Sequence, residues 1–199
     1  MRTFKNTIIP KEYRGSAIAI GNFDGVHRGH QKVFRQAKKY AKKNKIKFGV
    51  LTFTPLPVMF FNRNIKNCRL VSENKKFQLF EKYGVDFVIN IKFNKIFSKI
   101  TAVKFIKNII FKKINPRLIF VSNNFKFGNK RKGNVRLLKK FSKKYDYRLV
   151  NTMAFKHKGK VVSSTQIRKS LQNGHLDLAN TLLSRTWFIE GVVQKGNKL

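Results

Sequence analysis

Short apolar runs and longer amphipathic stretches take turns along this chain, and the hydrophobic period switches between them. "SAIAI" (Ser16 to Ile20), "KFGVLTF" (Lys47 to Phe53), "VDFVINI" (Val85 to Ile91), "RLIFV" (Arg117 to Val121) and "YRLVN" (Tyr147 to Asn151) read as buried strands. Between them, apolar residues recur at helical spacing. Gln31 to Lys43 predicts a helix with Val33, Phe34, Ala37, Tyr40 and Ala41 on one face. Ser72 is the expected N-cap of a helix through Phe77, Phe80 and Tyr83, which Gly84 terminates in a left-handed conformation. Thr101 caps a helix expected to turn Val103, Ile106, Ile109 and Ile110 inward, and Asn134 caps another through Val135, Leu138 and Phe141. "SSTQIRKSLQNG" opens with hydroxyls at a helix start and closes at Gly174, and a last short helix runs from Leu176 to Ser184.

Two stretches interrupt the alternation. In "TPLP" (Thr54 to Pro57) two prolines forbid helix and strand alike, and "NFKFGNKRKGN" is a glycine-punctuated loop. No internal repeat and no low-complexity linker is present. Strands that are nearly continuous apolar runs, separated by helices, form a parallel sheet covered on both faces, so the expected class is α/β. The end departs from this pattern: "FIEGVVQKG" looks like the first strand of a β-rich module that the chain does not complete. The expected division is a main domain over residues 1–185 and a short β extension over 186–199.

Composition narrows the function classes. The 199 residues are 42% hydrophobic with 20 phenylalanines, enough for a real core. No run reaches the roughly 18 uninterrupted apolar residues of a membrane span. The opening "MRTFKNTIIPKEYRG" has no apolar export segment, and Cys68 is alone, so a cytoplasmic protein without disulfides is expected. The net charge of +37 raises the question of nucleic acid. Its lysines, however, are spread along nearly the whole chain, as in "KKYAKKNKIK" and "LLKKFSKKY", and form no single stripe. That distribution is a solvated surface, and no specific nucleic-acid partner is expected.

The candidate chemistry sits in "GNFDGVHRGH", between the first strand and the first helix. In a doubly wound sheet, ligands bind beyond the carboxyl ends of the strands. The helix start there offers unpaired N–H groups and a partial positive charge, which suit a phosphate. Gly21, Gly25 and Gly29 allow close backbone approach, and His27 and His30, three apart, can project from one side of the first helical turn. Both can donate hydrogen bonds to phosphoryl oxygens and can carry charge near neutral pH. Zinc would need further ligands, and His157 and His175 lie in no recognisable ligand pattern. Turn histidines held by packing alone are the remaining alternative.

"GNFDGVHRGH" resembles the H-x-G-H nucleotidylyltransferase signature in the form found in bacterial FAD synthetases. The likeness continues in order through "LTFTPLP", "RLVSENKKFQLFEKYGVDFVINIKF", "NNFKFGNKRKGN", "VVSSTQIRKSLQNG" and "LLSRTWFIEGVVQKG". It implies a Rossmann-like sheet and transfer of AMP from ATP to FMN, giving FAD and pyrophosphate with Mg²⁺. By the same resemblance His27 and His30 hold the ATP phosphates and the transition state, and Gly21, Asn22 and Phe23 lie along the nucleotide. Ser164, Thr165 and Arg168 clasp the outer phosphates; simple N-capping by Ser164 or Thr165 is the plainer alternative. Asn124 serves the nucleotide or magnesium, and Asp24 either orients its loop or reaches magnesium through water. Phe53, Pro55 and Pro57 face the flavin, against the plainer reading of a rigid turn with a core phenylalanine. Leu56 stands where the family usually has histidine, Lys126 where it has arginine, and Ser122 and Asn123 are also departures. The last segment resembles the junction into a riboflavin kinase module whose own nucleotide segment is absent, so no kinase activity is expected.

Overall fold

The computed structural model describes residues 1–62, 68–192 and 196. Six parallel strands form one sheet: β1 (Arg2–Phe4), β2 (Ala17–Ile20), β3 (Phe48–Thr54), β4 (Phe87–Lys92), β5 (Leu118–Ser122) and β8 (Arg148–Thr152). Their order is β1-β4-β3-β2-β5-β8, so the chain runs outward from β2 to β4 and then returns to lay β5 on the other side of β2. The topological reversal therefore falls between β2 and β5, where a doubly wound sheet opens a crevice at its carboxyl edge.

Alternation along β2 shows how both faces are covered. Ala17 and Ala19 join one core cluster with Val33, Phe34 and Ala37 of α1 (Arg28–Lys43) and Leu79 and Phe80 of α3 (Glu73–Lys82). Ile18 and Ile20 join the opposite cluster with Phe105, Ile106 and Ile110. Small residues on the α1 side let that helix come close, and bulky ones fill the other face. Gly49 of β3 stands opposite Phe87 of β4, and the phenylalanine ring lies across the space a side chain would take.

Most expected elements form. Ser72 caps α3 by accepting from the Lys75 N–H, Thr101 and Asn134 cap their helices in the same way, and Gly84 takes a φ of 76° after α3. α6 spans Val135–Ser142 and α8 spans Leu176–Leu183.

Several expectations are corrected. Pro57 does not exclude a helix; it opens a short one, α2 (Pro57–Phe61), at the first-turn position where the missing N–H is harmless. Val103 points outward at 46% exposure. The inward stripe is Ala102, Phe105, Ile106, Ile109 and Ile110, as α5 (Ala102–Lys104) widens into a π-type helix over Phe105–Ile114. The loop after β5 holds a two-stranded ribbon, β6 (Lys126–Phe127) with β7 (Gly133–Asn134). Also unforeseen are β1, α4 (Lys95–Ser98) and a second ribbon, β9 (Lys156–His157) with β10 (Lys160–Val161). Of the expected terminal strand, residues 188–192 carry no regular structure, while 193–195 and 197–199 lie outside the described residues.

Candidate active site at the carboxyl edge of the sheet

The chain leaves β2 through Gly21, whose N–H donates to the Leu51 carbonyl, and turns sharply before α1. Phe23 adopts a left-handed backbone (φ 49°) that sends its ring into the core, against Phe34 at 4.8 Å and His30 at 5.2 Å. A Cβ at Gly21 would meet that ring at 3.0 Å. Gly25 has a φ of 75°, and a Cβ there would come within 2.7 Å of Leu70, so two glycines are needed to fold this turn.

The turn presents His27 and His30 as a stacked pair, ring centroids 3.6 Å apart and planes 21° off parallel. The Nδ1 atoms of both are sealed from water and have no hydrogen-bond partner among the described residues. Burial pushes His27 down to about 4, with the nearby Arg185 charge adding to the fall. Burial, then His27 itself, holds His30 well below its ordinary value. The expectation of charge near neutral pH is thus corrected: both imidazoles rest neutral, and each still offers a ring N–H as a donor.

Asp24 is 4% exposed and accepts from the Leu70 N–H at 3.0 and 3.2 Å. It is ion-paired with Arg168, whose Nε donates to the Cys68 carbonyl. Burial raises the Asp24 carboxyl, and Arg168 opposes that rise only in part. Both carboxylate oxygens are engaged within the protein, so this residue orients its loop. Arg168 lies on α7 (Ser164–Gln172), and from the same helix Ser164 Oγ donates to the Asp24 carbonyl at 3.0 Å. The helix is capped by neither Ser164 nor Thr165 but by Ser163, which accepts from the Gln166 N–H. Thr165 is exposed at the helix start. The first turn and the hydroxyl-rich turn therefore meet directly, about Asp24.

Asn124, exposed beyond the end of β5, accepts from Ser122 Oγ at 2.8 Å, and Asn22 is exposed above β2. Both flank the gap between β2 and β5. On the β3 side, Phe53 is a core residue, edge-on to Phe93 at 6.1 Å and tilted on Phe97 at 5.7 Å. Pro55 and Pro57 are half-buried, and Leu56 is 3% exposed. Phe53, Thr54 and Leu56 line a crevice with Asp24, Arg69, Val71, Glu73 and Lys76.

Sequence reasoning missed a second group, which braces the turn. Gln31 donates through Nε2 to the carbonyls of Val26 (2.9 Å) and Leu183 (3.0 Å). Arg185 donates to the Gly25 carbonyl at 2.7 Å, and Trp187 Nε1 donates to the Leu70 carbonyl at 2.9 Å. Gln31 directly follows the histidine motif, and Arg185 and Trp187 lie within "LLSRTWFIEGVVQKG", but nothing in their spacing distinguished a brace from an ordinary helix or linker residue.

Solved structures locate the fold. A macrolide-efflux protein from Streptococcus pneumoniae superposes with a TM-score of 0.81 at 24% identity, covering 94% of this chain and 62% of that one. A pantoate-beta-alanine ligase from Francisella tularensis gives 0.53 at 13% identity, covering 97% and 90%. At these identities the likeness concerns architecture alone, a Rossmann-like α/β sheet. Bifunctional riboflavin kinase/FMN adenylyltransferases are similar in sequence. That of Buchnera aphidicola (subspecies Schizaphis graminum) is 40% identical over 92% of this chain and 59% of its own length. That of Escherichia coli K12 is 32% identical over 93% and 59%, and that of Bacillus subtilis 33% over 98% and 62%. The chain thus spans about three fifths of these relatives. The FAD synthetase family model matches residues 9–166. With the stacked histidines, their braced turn and α7 all lying within or beside that span, the chain belongs to the FAD synthetase family.

Proposed function

We propose that this domain is an FMN adenylyltransferase, transferring AMP from ATP to the phosphate of FMN and releasing pyrophosphate. The observation that carries the reading is the meeting of the histidine turn with α7 about Asp24, which gathers donors from two helix starts at one edge of the sheet. The FMN phosphate, ionised near neutral pH because its second pKa is about 6, is already a nucleophile. Its oxygen bonds to the α-phosphorus of ATP as the bond to pyrophosphate breaks, and no proton has to move. What the protein must supply is alignment of two anions and stabilisation of charge building at phosphorus.

Neutral His27 and His30 would donate N–H groups to phosphoryl oxygens, with Gly21, Asn22 and the backbone of Phe23 along the nucleotide. Ser164, Thr165 and Arg168 would bear on the outer phosphates, and Phe53, Pro55 and Pro57 on the flavin side. Among the described residues no group of three or more His, Cys, Asp or Glu is arranged to hold a metal. Mg²⁺ would therefore be carried chiefly by the ATP phosphates, with the Asn124 side-chain oxygen as the protein's contribution, and it would supply charge neutralisation there. We read the protein as cytoplasmic; no described helix is long and apolar enough to cross a membrane. Residues 186–199 are read as the beginning of a kinase-like module, in keeping with the greater length of the relatives.

The test is direct. The purified chain, given FMN, ATP and Mg²⁺, should yield FAD by chromatography, and His27→Ala or His30→Ala should slow turnover at least about tenfold, or about 1.4 kcal/mol. Product formed instead from nicotinate mononucleotide or phosphopantetheine would reassign the acceptor. Unchanged turnover in both histidine variants would refute their role.

A further inference from the structure

One buried cation near the site makes no direct ion pair among the described residues. Lys76 lies on the inward face of α3 and is only 5% exposed. Among the described residues its ammonium finds one long hydrogen bond, to Thr52 Oγ1 at 3.5 Å, although it carries three donors. Among the described residues no carboxylate stands within ion-pair distance of it. Glu73, one turn earlier, is occupied: it accepts from Thr54 Oγ1 at 2.8 Å and from Asn90 Nδ2 at 3.0 Å. Asp24 is occupied by Arg168 and Leu70. A second cation, Arg69, lines the same crevice.

Burying a charge without a direct ion pair is expensive, and the second cation beside it offsets part of what the more distant Asp24 and Glu73 carboxylates supply. The proton affinity of Lys76 records both effects. Burial chiefly, with a smaller push from Arg69, lowers it to about 8 against the opposing pull of Glu73 and Asp24. An arrangement of this kind is relieved when an anion enters. Position indicates which anion. The reversal between β2 and β5, with Asn22 and Asn124 beside it, is the nucleotide side. Lys76 instead lies over β3, in a crevice walled by Phe53, Thr54 and Leu56. Leu56 is apolar and buried, so it offers the crevice no side-chain polar atom.

We propose that Lys76, assisted by Arg69, binds the phosphate of the acceptor and holds it against the histidine turn for attack. This rests on the FMN adenylyltransferase reading and adds to it the residues that select a phosphorylated acceptor. The test compares FMN with riboflavin, which differs only in lacking the phosphate, by flavin-fluorescence titration of the full chain. Lys76→Met should weaken FMN binding at least about tenfold, leave riboflavin binding within about twofold, and raise KM for FMN without raising KM for ATP. Lys76→Arg should retain the preference for FMN. In the wild-type chain labelled with ¹⁵N-lysine, the Lys76 side-chain resonance should shift on adding FMN and stay in place on adding riboflavin, which keeps the idea testable if Lys76→Met fails to fold. Equal losses for both flavins, unchanged FMN affinity, a loss confined to ATP, or a resonance indifferent to FMN would each overturn the proposal. A wild-type chain that binds neither flavin would overturn the acceptor itself, a separate outcome.

Discussion

Replacing Asp24 by alanine tests whether the two turns are held together as described. The Leu70 N–H, buried and bonded to both carboxylate oxygens at 3.0 and 3.2 Å, would lose its acceptor. An orphaned buried donor costs about 1–3 kcal/mol. Arg168 would lose its ion-pair partner, but its side chain is 24% exposed and still reaches the Cys68 carbonyl, so water replaces much of that contact and the added loss is about 1 kcal/mol. Together Asp24→Ala should destabilise the domain by about 2–4 kcal/mol. Urea denaturation followed by tryptophan fluorescence would register this as a midpoint lowered by roughly 1 M, for a slope of about 2–3 kcal/mol per M. Asp24→Asn keeps an acceptor for Leu70 and removes the charge that burial already disfavours, so it should lose less than about 1 kcal/mol. The double variant with Arg168→Ala should fall short of the summed single losses by about 1 kcal/mol. Strict additivity, or an Asp24→Ala loss under about 1 kcal/mol, would show that the carboxylate does not tie α7 to the first turn.

Two further outcomes follow from the same geometry. The unfolded chain protonates His27 near 6.5, whereas the folded chain resists until about 4, so stability from this group is complete above 6.5 and drains away as pH falls through that window. The gap amounts to about 3 kcal/mol; denaturation midpoints at pH 7.5 and 4.5 should differ by at least the equivalent of that gap, His27→Asn should reduce the difference and leave the part due to His30, and a flat wild-type profile would be incompatible with a buried neutral ring. Gly49→Ala would set a Cβ 2.3 Å from the Phe87 ring, which is fully buried and wedged 4.8 Å from the Tyr13 ring, so a loss of about 1–3 kcal/mol and a melting temperature lower by roughly 3–10 °C are expected. An unchanged melting temperature would mean the ring has room to move.

Local rules served well where one residue type dictates one outcome. Ser72, Thr101 and Asn134 cap the helices they precede, because a short side-chain oxygen before an apolar stripe has one obvious use. Five of the six sheet strands were readable as buried apolar runs; β1, three residues long at an edge, lacked the length to be read. At the site, the histidines and α7 were legible through their motifs, but the protonation of the histidines was not, since it depends on burial that only the fold creates. Arg168 illustrates the same limit. Its spacing from Ser164 is local, whereas its engagement with Asp24 spans 144 residues. Lys76 was hidden by its type, because a lysine among lysines gives no hint of facing inward.

The contacts made by Arg185 and Trp187 carry a practical corollary. These two residues look like trailing linker, yet one grips the backbone of the glycine turn and the other the loop carrying Leu70. Shortening the chain to the last helical residue, Leu183, would spare the histidine turn and α7 and still unfasten the pocket's rim. A minimal fragment for crystallisation or screening must therefore retain Trp187.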